Sequence, residues 1–237
     1  MAKPEAFRRG WAPKFSLCHP SARPSEWNKT RDAWIDAASK PVDAEYVVCF
    51  DLGRHRVEPK EAAPARVVYN TGRHCSVDAT NAACAAAVGR CLIVISDDIL
   101  PCPNWDQELT KIGRLWSGQE CVVRVKTGGQ ADARGLLTVQ ILNRERYERY
   151  GYLFHPSYTS MKSDDEFTEH AHRDGCIVNA AHILFRHEHW TTGERQMDDV
   201  YRAQNAPERY RQGEENFQLR ARLGFPVASP KAVEAAA

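Results

Sequence analysis

The sequence predicts an α/β fold in which a mostly parallel sheet is flanked by helices within a single domain. Short apolar runs that are typical of buried strands alternate with helical patterns through the first hundred residues, which favours strands joined by helical crossovers. The chain has 237 residues, and 43% of them are hydrophobic, which is enough for one sizeable core. We therefore expect one domain over residues 1–237, with flexible ends at 1–13 and 228–237.

The first half of the chain contains the regular part of this pattern. It predicts strand Lys14–Leu17, a proline-containing loop to Pro24, helix Glu26–Ala38, strand Glu45–Phe50, strand Arg66–Tyr69, helix Ser76–Gly89 and strand Cys91–Ile95. Ligands of such sheets bind at the carboxyl ends of the strands. The segments that follow these strands are therefore the first place to look for a site.

The second half of the chain is less regular. It predicts helices at Trp105–Trp116, Arg144–Tyr150 and Asp164–His172, strands at Val122–Val125, Leu136–Leu142 and within Cys176–Phe185, and one or two arginine-rich helices in Asp198–Gly224.

The charge balance and the cysteines restrict the class of protein. The formal net charge is +1, which neither requires nor excludes a nucleic-acid partner. Apolar runs such as Cys91–Ile95 are far shorter than the roughly 20 residues of a membrane helix, so we expect no membrane span. The eight cysteines include no C-x-x-C pair and predict buried free thiols in a reducing, cytoplasmic location.

Two adjacent carboxylates follow the strand Cys91–Ile95, in the segment Ser96-Asp97-Asp98. Like charges at the end of a buried strand repel each other unless a cation lies beside them, and a divalent metal held with a diphosphate supplies one. The alternative is that both residues cap the next turn.

A second acidic cluster, Asp164-Asp165-Glu166, precedes the next apolar segment. One interpretation is a carboxylate base for an acceptor hydroxyl, and the other is a charged helix N-terminus placed favourably in the helix dipole.

Histidines alternate in the segment Phe185-Arg186-His187-Glu188-His189-Trp190. On an extended chain His187 and His189 share one face and can meet a metal, while the alternative is a pair of solvated loop residues. We interpret His170 and His172, on the predicted helix after the acidic cluster, as structural.

The order of these motifs resembles the GT-A fold glycosyltransferases, in particular family 2-like members, from about residue 14 to residue 225. The resemblance lies in F-S-L-C-H-P-S-A-R, in V-V-Y-N-T-G followed by D-A-T-N-A-A-C-A-A-A-V-G-R-C-L-I-V-I-S-D-D, in S-M-K-S-D-D-E-F-T-E, and in F-R-H-E-H-W before D-D-V-Y. In this family the corresponding segments are the donor loop, the metal-carboxylate motif, the base segment and the late metal histidine.

The resemblance implies a set of donor-binding residues. Pro20, Ser21 and Arg23 would hold the nucleotide, Asp51 would face the base, Asn70 and Asp78 would lie near the ribose or the sugar, and Ser96 and Asp97 would complete the set.

The resemblance also implies a metal site for Mn²⁺ or Mg²⁺. Asp97 matches the last aspartate of the family's D-x-D motif, Asp98 is its acidic neighbour, and His187 matches the late histidine. The sequence departs from the family pattern at Ile95, where the family often has the first aspartate of the motif.

Asp164 matches the catalytic base of the family, with Glu166 two residues later and Asp165 as the nearby rival. Together these matches imply a metal-dependent, inverting glycosyltransferase, a hexosyltransferase that moves a sugar from a nucleotide diphosphate sugar, expected to be a UDP-sugar, onto an acceptor hydroxyl.

The acceptor and two other function classes stay open at this point. The acceptor would be a glycan, a small molecule or, in the alternative, a hydroxymethylated base of viral DNA. Five arginines near the C-terminus would contact a DNA backbone or form a solvated helix face: Arg202, Arg209, Arg211, Arg220 and Arg222. A nucleotidyltransferase and a noncatalytic protein that binds a sugar nucleotide or nucleic acid are the other classes.

Overall fold

A computed structural model describes residues 13–23, 25–50, 65–189 and 193–228. The nine strands in these ranges are β1 Phe15–Ser21, β2 Ala44–Phe50, β3 Arg66–Tyr69, β4 Cys91–Val94, β5 Ile99–Leu100, β6 Val122–Lys126, β7 Ile141–Asn143, β8 Ile177–Leu184 and β9 Arg186–His187. The eight α-helices in the same ranges are α1 Trp27–Asp36, α2 Ser76–Ala86, α3 Trp105–Thr110, α4 Gln130–Arg134, α5 Arg144–Tyr150, α6 Ser163–Arg173, α7 Asp199–Gln204 and α8 Pro207–Arg222.

Seven strands form one sheet in the order β3-β2-β1-β4-β7-β6-β8, and β5 pairs with β9 in a separate two-stranded sheet. Strand β7 is antiparallel to both of its neighbours, while the other pairs of the large sheet are parallel. The predicted α/β fold with a mostly parallel sheet is therefore confirmed.

Helices cover both faces of the large sheet. On one face Trp34 of α1 and Trp105 of α3 pack against Phe15 and Phe185. On the other face α2 packs against β1 and β2 through small side chains such as Cys84. Because both faces are covered, strands β1, β2 and β4 are buried along almost their whole length rather than at alternate positions.

The two core tryptophans also satisfy their polar atoms. The indole N–H of Trp34 donates to the carbonyl oxygen of Ile99 at 2.9 Å, and that of Trp105 donates to the carbonyl oxygen of Trp34 at 2.9 Å. These bonds tie α1 to the segment that follows Asp97 and Asp98, so the core fixes the place of the acidic pair as well as the helix.

Several predicted boundaries differ from the observed ones. The predicted helix Trp105–Trp116 ends at Thr110 and is followed by a 3₁₀ turn at Gly113–Trp116. The predicted strand Leu136–Leu142 is a strand only over Ile141–Asn143. Its three residues pair with β4 and β6, and the preceding residues instead follow the short helix α4.

The eight cysteines are free thiols, as predicted, and seven of them are buried. Burial raises the pKa of the Cys91 thiol well above its ordinary value, so this residue is an apolar core side chain rather than a reactive one. Among the described helices, none has both the length and the apolar character that a bilayer crossing requires.

Candidate active site

A cleft with a volume of about 270 Å³ lies at the carboxyl ends of β1 and β4. Parallel pairing of these strands, with Cys18 opposite Val94, brings the loop after β1 beside the segment Ser96–Asp98. Strand β9 and helix α7 form the opposite wall, which includes His187 and Tyr201. Sequence segments more than 150 residues apart therefore meet at the edge where open α/β sheets bind ligands.

The carboxylate of Asp97 is held by the loop after β1. Ser21 donates its hydroxyl to both carboxylate oxygens, at 3.0 and 3.1 Å, and Arg23 donates an Nη1 hydrogen bond to Oδ2 at 3.3 Å. His19 places Nε2 2.9 Å from Oδ1. The side chain of Asp97 is only 3% exposed, so these contacts account for most of its surroundings.

The carboxylate of Asp98 points to the opposite wall of the cleft. Its Oδ2 lies 3.2 Å from Nε2 of His187 and accepts a 2.6 Å hydrogen bond from Tyr201, while Oδ1 accepts one from Ser96. Burial alone would raise the pKa of Asp98, but the contacts with His187, Ser96 and Tyr201 lower it well below the ordinary value. Asp98 is therefore an anion at every physiological pH.

The structure unites two of the three predicted metal ligands. Within the described ranges, no group of three or more histidine, cysteine or acidic side chains is arranged to hold a metal ion. Asp98 and His187 are paired, but Asp97 is engaged by the other wall. The carboxylate oxygen and the imidazole nitrogen lie 3.2 Å apart, and both are ligand types that suit a divalent ion such as Mn²⁺, so this pair would offer such an ion two ligands on one side.

Helix α7 and the segment before it cover the two aspartates. Arg195 donates to the carbonyl oxygen of Asp97 at 2.7 Å, and Asp198 forms a two-pronged ion pair with Arg23 at 2.7 and 3.1 Å. The guanidinium of Arg23 also lies over the ring of Tyr201, 4.6 Å from its centre. These contacts connect the C-terminal region to the loop after β1.

The structure separates the predicted donor-binding residues into two groups. Those that line the cleft are Pro20, Ser21, Arg23, Ser96 and Asp97. Asn70 and Asp78 are not among the lining residues. Asp51 lies outside the described residues.

Asp78 has a structural partner that explains its position. Both of its oxygens accept hydrogen bonds from the guanidinium of Arg73, and Arg73 donates further to the carbonyl oxygens of Pro156 and Tyr158. Asn70 accepts from the backbone N–H of Gly72. The contacts of Asn70 and Asp78 thus stabilise the loop before α2, and Arg73 links this loop to the segment around Pro156 and Tyr158. Neither Asn70 nor Asp78 is among the residues that line the cleft.

The second acidic cluster divides into three different environments. Glu166 is almost wholly buried and forms a two-pronged ion pair with Arg220, at 2.6 and 2.7 Å, with a further bond from Tyr158. Asp165 lies 3.3 Å from Arg134 and 3.5 Å from Lys162. Asp164 is half-buried, and burial together with the charge of Asp165 raises its pKa to about 6. Of the three, Asp164 has the properties of a proton acceptor.

The acidic cluster itself is not among the residues that line the cleft, and Met161, three residues before Asp164, is the nearest one that is. Met161 lines the cleft, and α6 begins two residues later at Ser163. Helix α8 packs directly on this turn at Gly213, where a Cβ atom would lie 2.5 Å from the carbonyl oxygen of Met161. A glycine at this point of α8 lets the helix hold the turn before Asp164 in place.

The C-terminal arginines are occupied by contacts within the chain. Arg220 is buried against Glu166, Arg211 pairs with Glu208 and Glu215, and Arg202 pairs with Asp199. The charges of these three are balanced locally, while Arg209 and Arg222 donate to neutral oxygens of Gln204 and Gln218. The described structure adds no support to the DNA alternative.

Sequence reasoning missed three residues of the site: His19, Arg195 and Tyr201. Tyr201 stands in the motif D-D-V-Y that carried part of the resemblance, which was a usable signal. His19 also stands in a segment of the resemblance, F-S-L-C-H-P-S-A-R, but nothing there marks the histidine itself, and Arg195 lies in a polar loop without a distinguishing pattern.

Similar solved structures identify the fold class of this chain. No family model matches the chain, and no curated protein matches it. The solved structures with similar folds include glucosyl-3-phosphoglycerate synthase from Mycobacterium tuberculosis in complex with phosphoglyceric acid, at 17% identity and a TM-score of 0.58. The match covers 92% of this chain and 86% of that one. The chain has a GT-A fold.

The S. aureus protein TarS is also similar, at 14% identity and a TM-score of 0.57 over 73% of this chain. This chain spans 36% of the length of TarS and 59% of the TarS 1–349 structure. Both TarS and the mycobacterial synthase are glycosyltransferases. The predicted resemblance is thus confirmed for the fold.

The raised pKa of Asp164 predicts a pH-dependent cost to stability. The unfolded chain ionises this carboxyl near its ordinary pKa of about 4, whereas the folded protein retains the proton up to about pH 6. The free energy of unfolding of the wild type therefore falls as the pH rises from about 4 to about 6. Because Asp164→Asn cannot ionise, its Tm relative to wild type should increase from pH 4 to pH 7.5 in calorimetric scans.

Asp199→Asn is the matched control, because it removes a carboxylate that is 97% exposed. The difference in Tm between this variant and wild type should stay nearly constant over the same range. A difference for Asp164→Asn that is equally independent of pH would contradict the assigned environment of Asp164.

Proposed function

We propose that the protein is a metal-dependent glycosyltransferase that uses a nucleotide diphosphate sugar as donor. The observation that carries the proposal is the pairing of Asp98 with His187 in the cleft, beside the loop that holds Ser21 and Arg23. A carboxylate and an imidazole offer a divalent ion two ligands, and a diphosphate supplies further oxygens. The loop supplies a hydroxyl and a guanidinium to the same space.

The similar structures support a uridine diphosphate sugar as the donor. The mycobacterial synthase has been crystallised with Mn²⁺, UDP-glucose and phosphoglyceric acid, and with Mg²⁺ and UDP. The TarS 1–349 structure contains UDP. We extend this donor and the choice of Mn²⁺ or Mg²⁺ to the present chain because it has a similar fold and its cleft lies at the carboxyl ends of parallel strands, where open α/β sheets bind ligands.

Asp98 and His187 would hold the metal ion, which when bound would neutralise charge on the leaving diphosphate. Asp97 has a different role, because Ser21, Arg23 and His19 already surround its carboxylate. It keeps the loop after β1 in place against the cleft. Arg23 is then positioned to meet a diphosphate once its ion pair with Asp198 yields.

Asp164 would act as the base for the acceptor. The acceptor oxygen attacks the anomeric carbon, its proton passes to Asp164, and the bond from the anomeric carbon to the diphosphate oxygen breaks with the electron pair leaving on the diphosphate. Asp164 suits this step since its raised pKa favours proton uptake and no cation is paired with it among the described contacts, unlike Asp165. Such a single displacement inverts the anomeric centre.

The acceptor we propose is a glycan or a small molecule.

If Asp98 and His187 hold a metal ion, UDP, the product that the donor leaves behind, should bind only when that ion is present. Isothermal titration of the wild-type protein with UDP should show binding in Mn²⁺ that EDTA abolishes. His187→Ala should weaken the Mn²⁺-dependent binding by roughly tenfold or more, because loss of a supporting residue alone commonly costs that much at metal sites.

His182→Ala is the control, since this β8 histidine is 66% exposed and should leave the affinity unchanged. Equal UDP affinity in Mn²⁺ and in EDTA for the wild type would remove the metal from the proposed function.

The base assignment predicts a loss of transfer without a loss of binding. Asp164→Asn keeps the shape of the side chain and removes the proton acceptor, so transfer from a UDP-sugar should fall by roughly 10²-fold to 10⁴-fold. The affinity for UDP should stay within a small factor of the wild-type value.

Asp165→Asn serves as the neighbouring comparison and should retain most of the transfer rate. A wild-type rate in Asp164→Asn together with loss in Asp165→Asn would move the base by one residue. Wild-type rates in both variants would mean that the base lies elsewhere.

A further inference from the structure

A buried histidine lies directly beneath the acidic pair. His19 is on β1 and its side chain is 0% exposed. The backbone N–H of Ile95 donates to the carbonyl oxygen of Cys18 at 3.0 Å, which continues the parallel pairing of β1 with β4 and sets His19 beside Ile95. Ile95 is the position where the sequence lacks a carboxylate. The imidazole of His19 on β1 therefore supplies a polar group beside Ile95, an apolar residue directly after β4.

Both nitrogens of this imidazole face polar groups. Nδ1 lies 2.5 Å from the hydroxyl of Tyr46 on β2, and Nε2 lies 2.9 Å from Oδ1 of Asp97. Nε2 forms no hydrogen bond of ordinary geometry among the described residues, although Oδ1 of Asp97 lies within reach at 2.9 Å. A buried N–H without a partner is costly, so alignment of an Nε2–H with this carboxylate oxygen is favoured.

The protonation of Tyr46 determines which nitrogen carries the hydrogen. Burial, with the nearby charge of Asp97 and Asp32, raises the pKa of Tyr46 well above its ordinary value, so its hydroxyl keeps its proton. The hydroxyl can then donate to Nδ1, which places the hydrogen of a neutral ring on Nε2 and directs it toward Asp97. A chain of three groups thus runs from the core of the sheet to the floor of the cleft.

His19 differs from the other groups that hold Asp97. Ser21 and Arg23 line the cleft and would be contacted by a bound donor, and Arg23 is also shared with Asp198. His19 is buried behind the carboxylate, where no ligand reaches it. Its contact can therefore persist when the donor engages the loop.

We propose that His19, held by Tyr46, is a positioning residue that fixes the carboxylate of Asp97, and through it the donor loop, for binding of the nucleotide. This role rests on the proposed function. It predicts that loss of the imidazole weakens donor binding although His19 touches no donor atom.

The experiment uses three full-length variants. His19→Leu combined with Tyr46→Phe removes both partners of the buried pair, so no polar group is left without a partner and the protein should fold. His19→Gln retains an amide that can replace Nε2 as a donor. His170→Gln is the matched control, because His170 is also buried and lies 3.4 Å from a carboxylate, Glu166, but is not among the residues that line the cleft.

Titration calorimetry with UDP and Mn²⁺ gives the first measurement. The double variant should bind UDP roughly 10-fold to 100-fold more weakly than wild type, as loss of residues that orient a site commonly does. His19→Gln should recover a large part of that loss. His170→Gln should change Tm and leave the Kd for UDP unchanged. A folded double variant with the wild-type Kd would overturn the proposal.

A crystal structure of the double variant without ligand gives the second measurement, and it separates this proposal from the proposed function. Absence of UDP binding by the wild type would refute the proposed function. The position of Asp97 would still decide the role of His19: a carboxylate rotated away from Ser21 supports positioning, and an unmoved carboxylate overturns it.

Discussion

The parallel pairing of β1 with β4 is the constraint on which the site depends. It aligns the carboxyl ends of two strands more than seventy residues apart, so that Ser21 and Arg23 meet Asp97 across the end of the sheet. The pairing itself is maintained by the aromatic core on one face and by the tightly packed α2 on the other. The contacts of Ser21 and Arg23 with Asp97 follow from this arrangement, whereas the pairing of β5 with β9 brings His187 to Asp98.

The two aspartates have adjacent positions and opposite surroundings. Both residues lie in the turn between β4 and β5, where Asp97 meets Ser21, Arg23 and His19 while Asp98 meets His187 and Tyr201. Two like charges are tolerated because each has its own set of donors. This separation gives the pair two functions: one carboxylate maintains the donor loop and the other is available to a metal ion.

The sequence predicted the elements and the residues that a periodic pattern or a motif marks. Strand β4 is a continuous apolar run and β2 is one after Glu45, and the D-D and H-E-H segments each come soon after such a run. It did not identify Arg73 as the partner of Asp78, although the two are only five residues apart, because the contact depends on the conformation of the loop before α2, which no periodic pattern marks. Nor could it identify His19, whose significance comes from a neighbour on β2 and a missing carboxylate on β4. The short β7 and the 3₁₀ turn after α3 were missed since tertiary pairing, rather than local pattern, fixes their length.

The central claim is that Asp98 and His187 form the metal end of a sugar-nucleotide site. A crystal structure of the protein with UDP and Mn²⁺, analysed at the manganese absorption edge, tests it most directly. If Asp98 and His187 hold the metal ion, the map should show one anomalous peak in the cleft. It should lie about 2.0–2.3 Å from a carboxylate oxygen of Asp98 and from Nε2 of His187, with diphosphate oxygens completing the coordination. UDP bound in the cleft with no manganese at this pair, or with manganese coordinated by Asp97 alone, would contradict it.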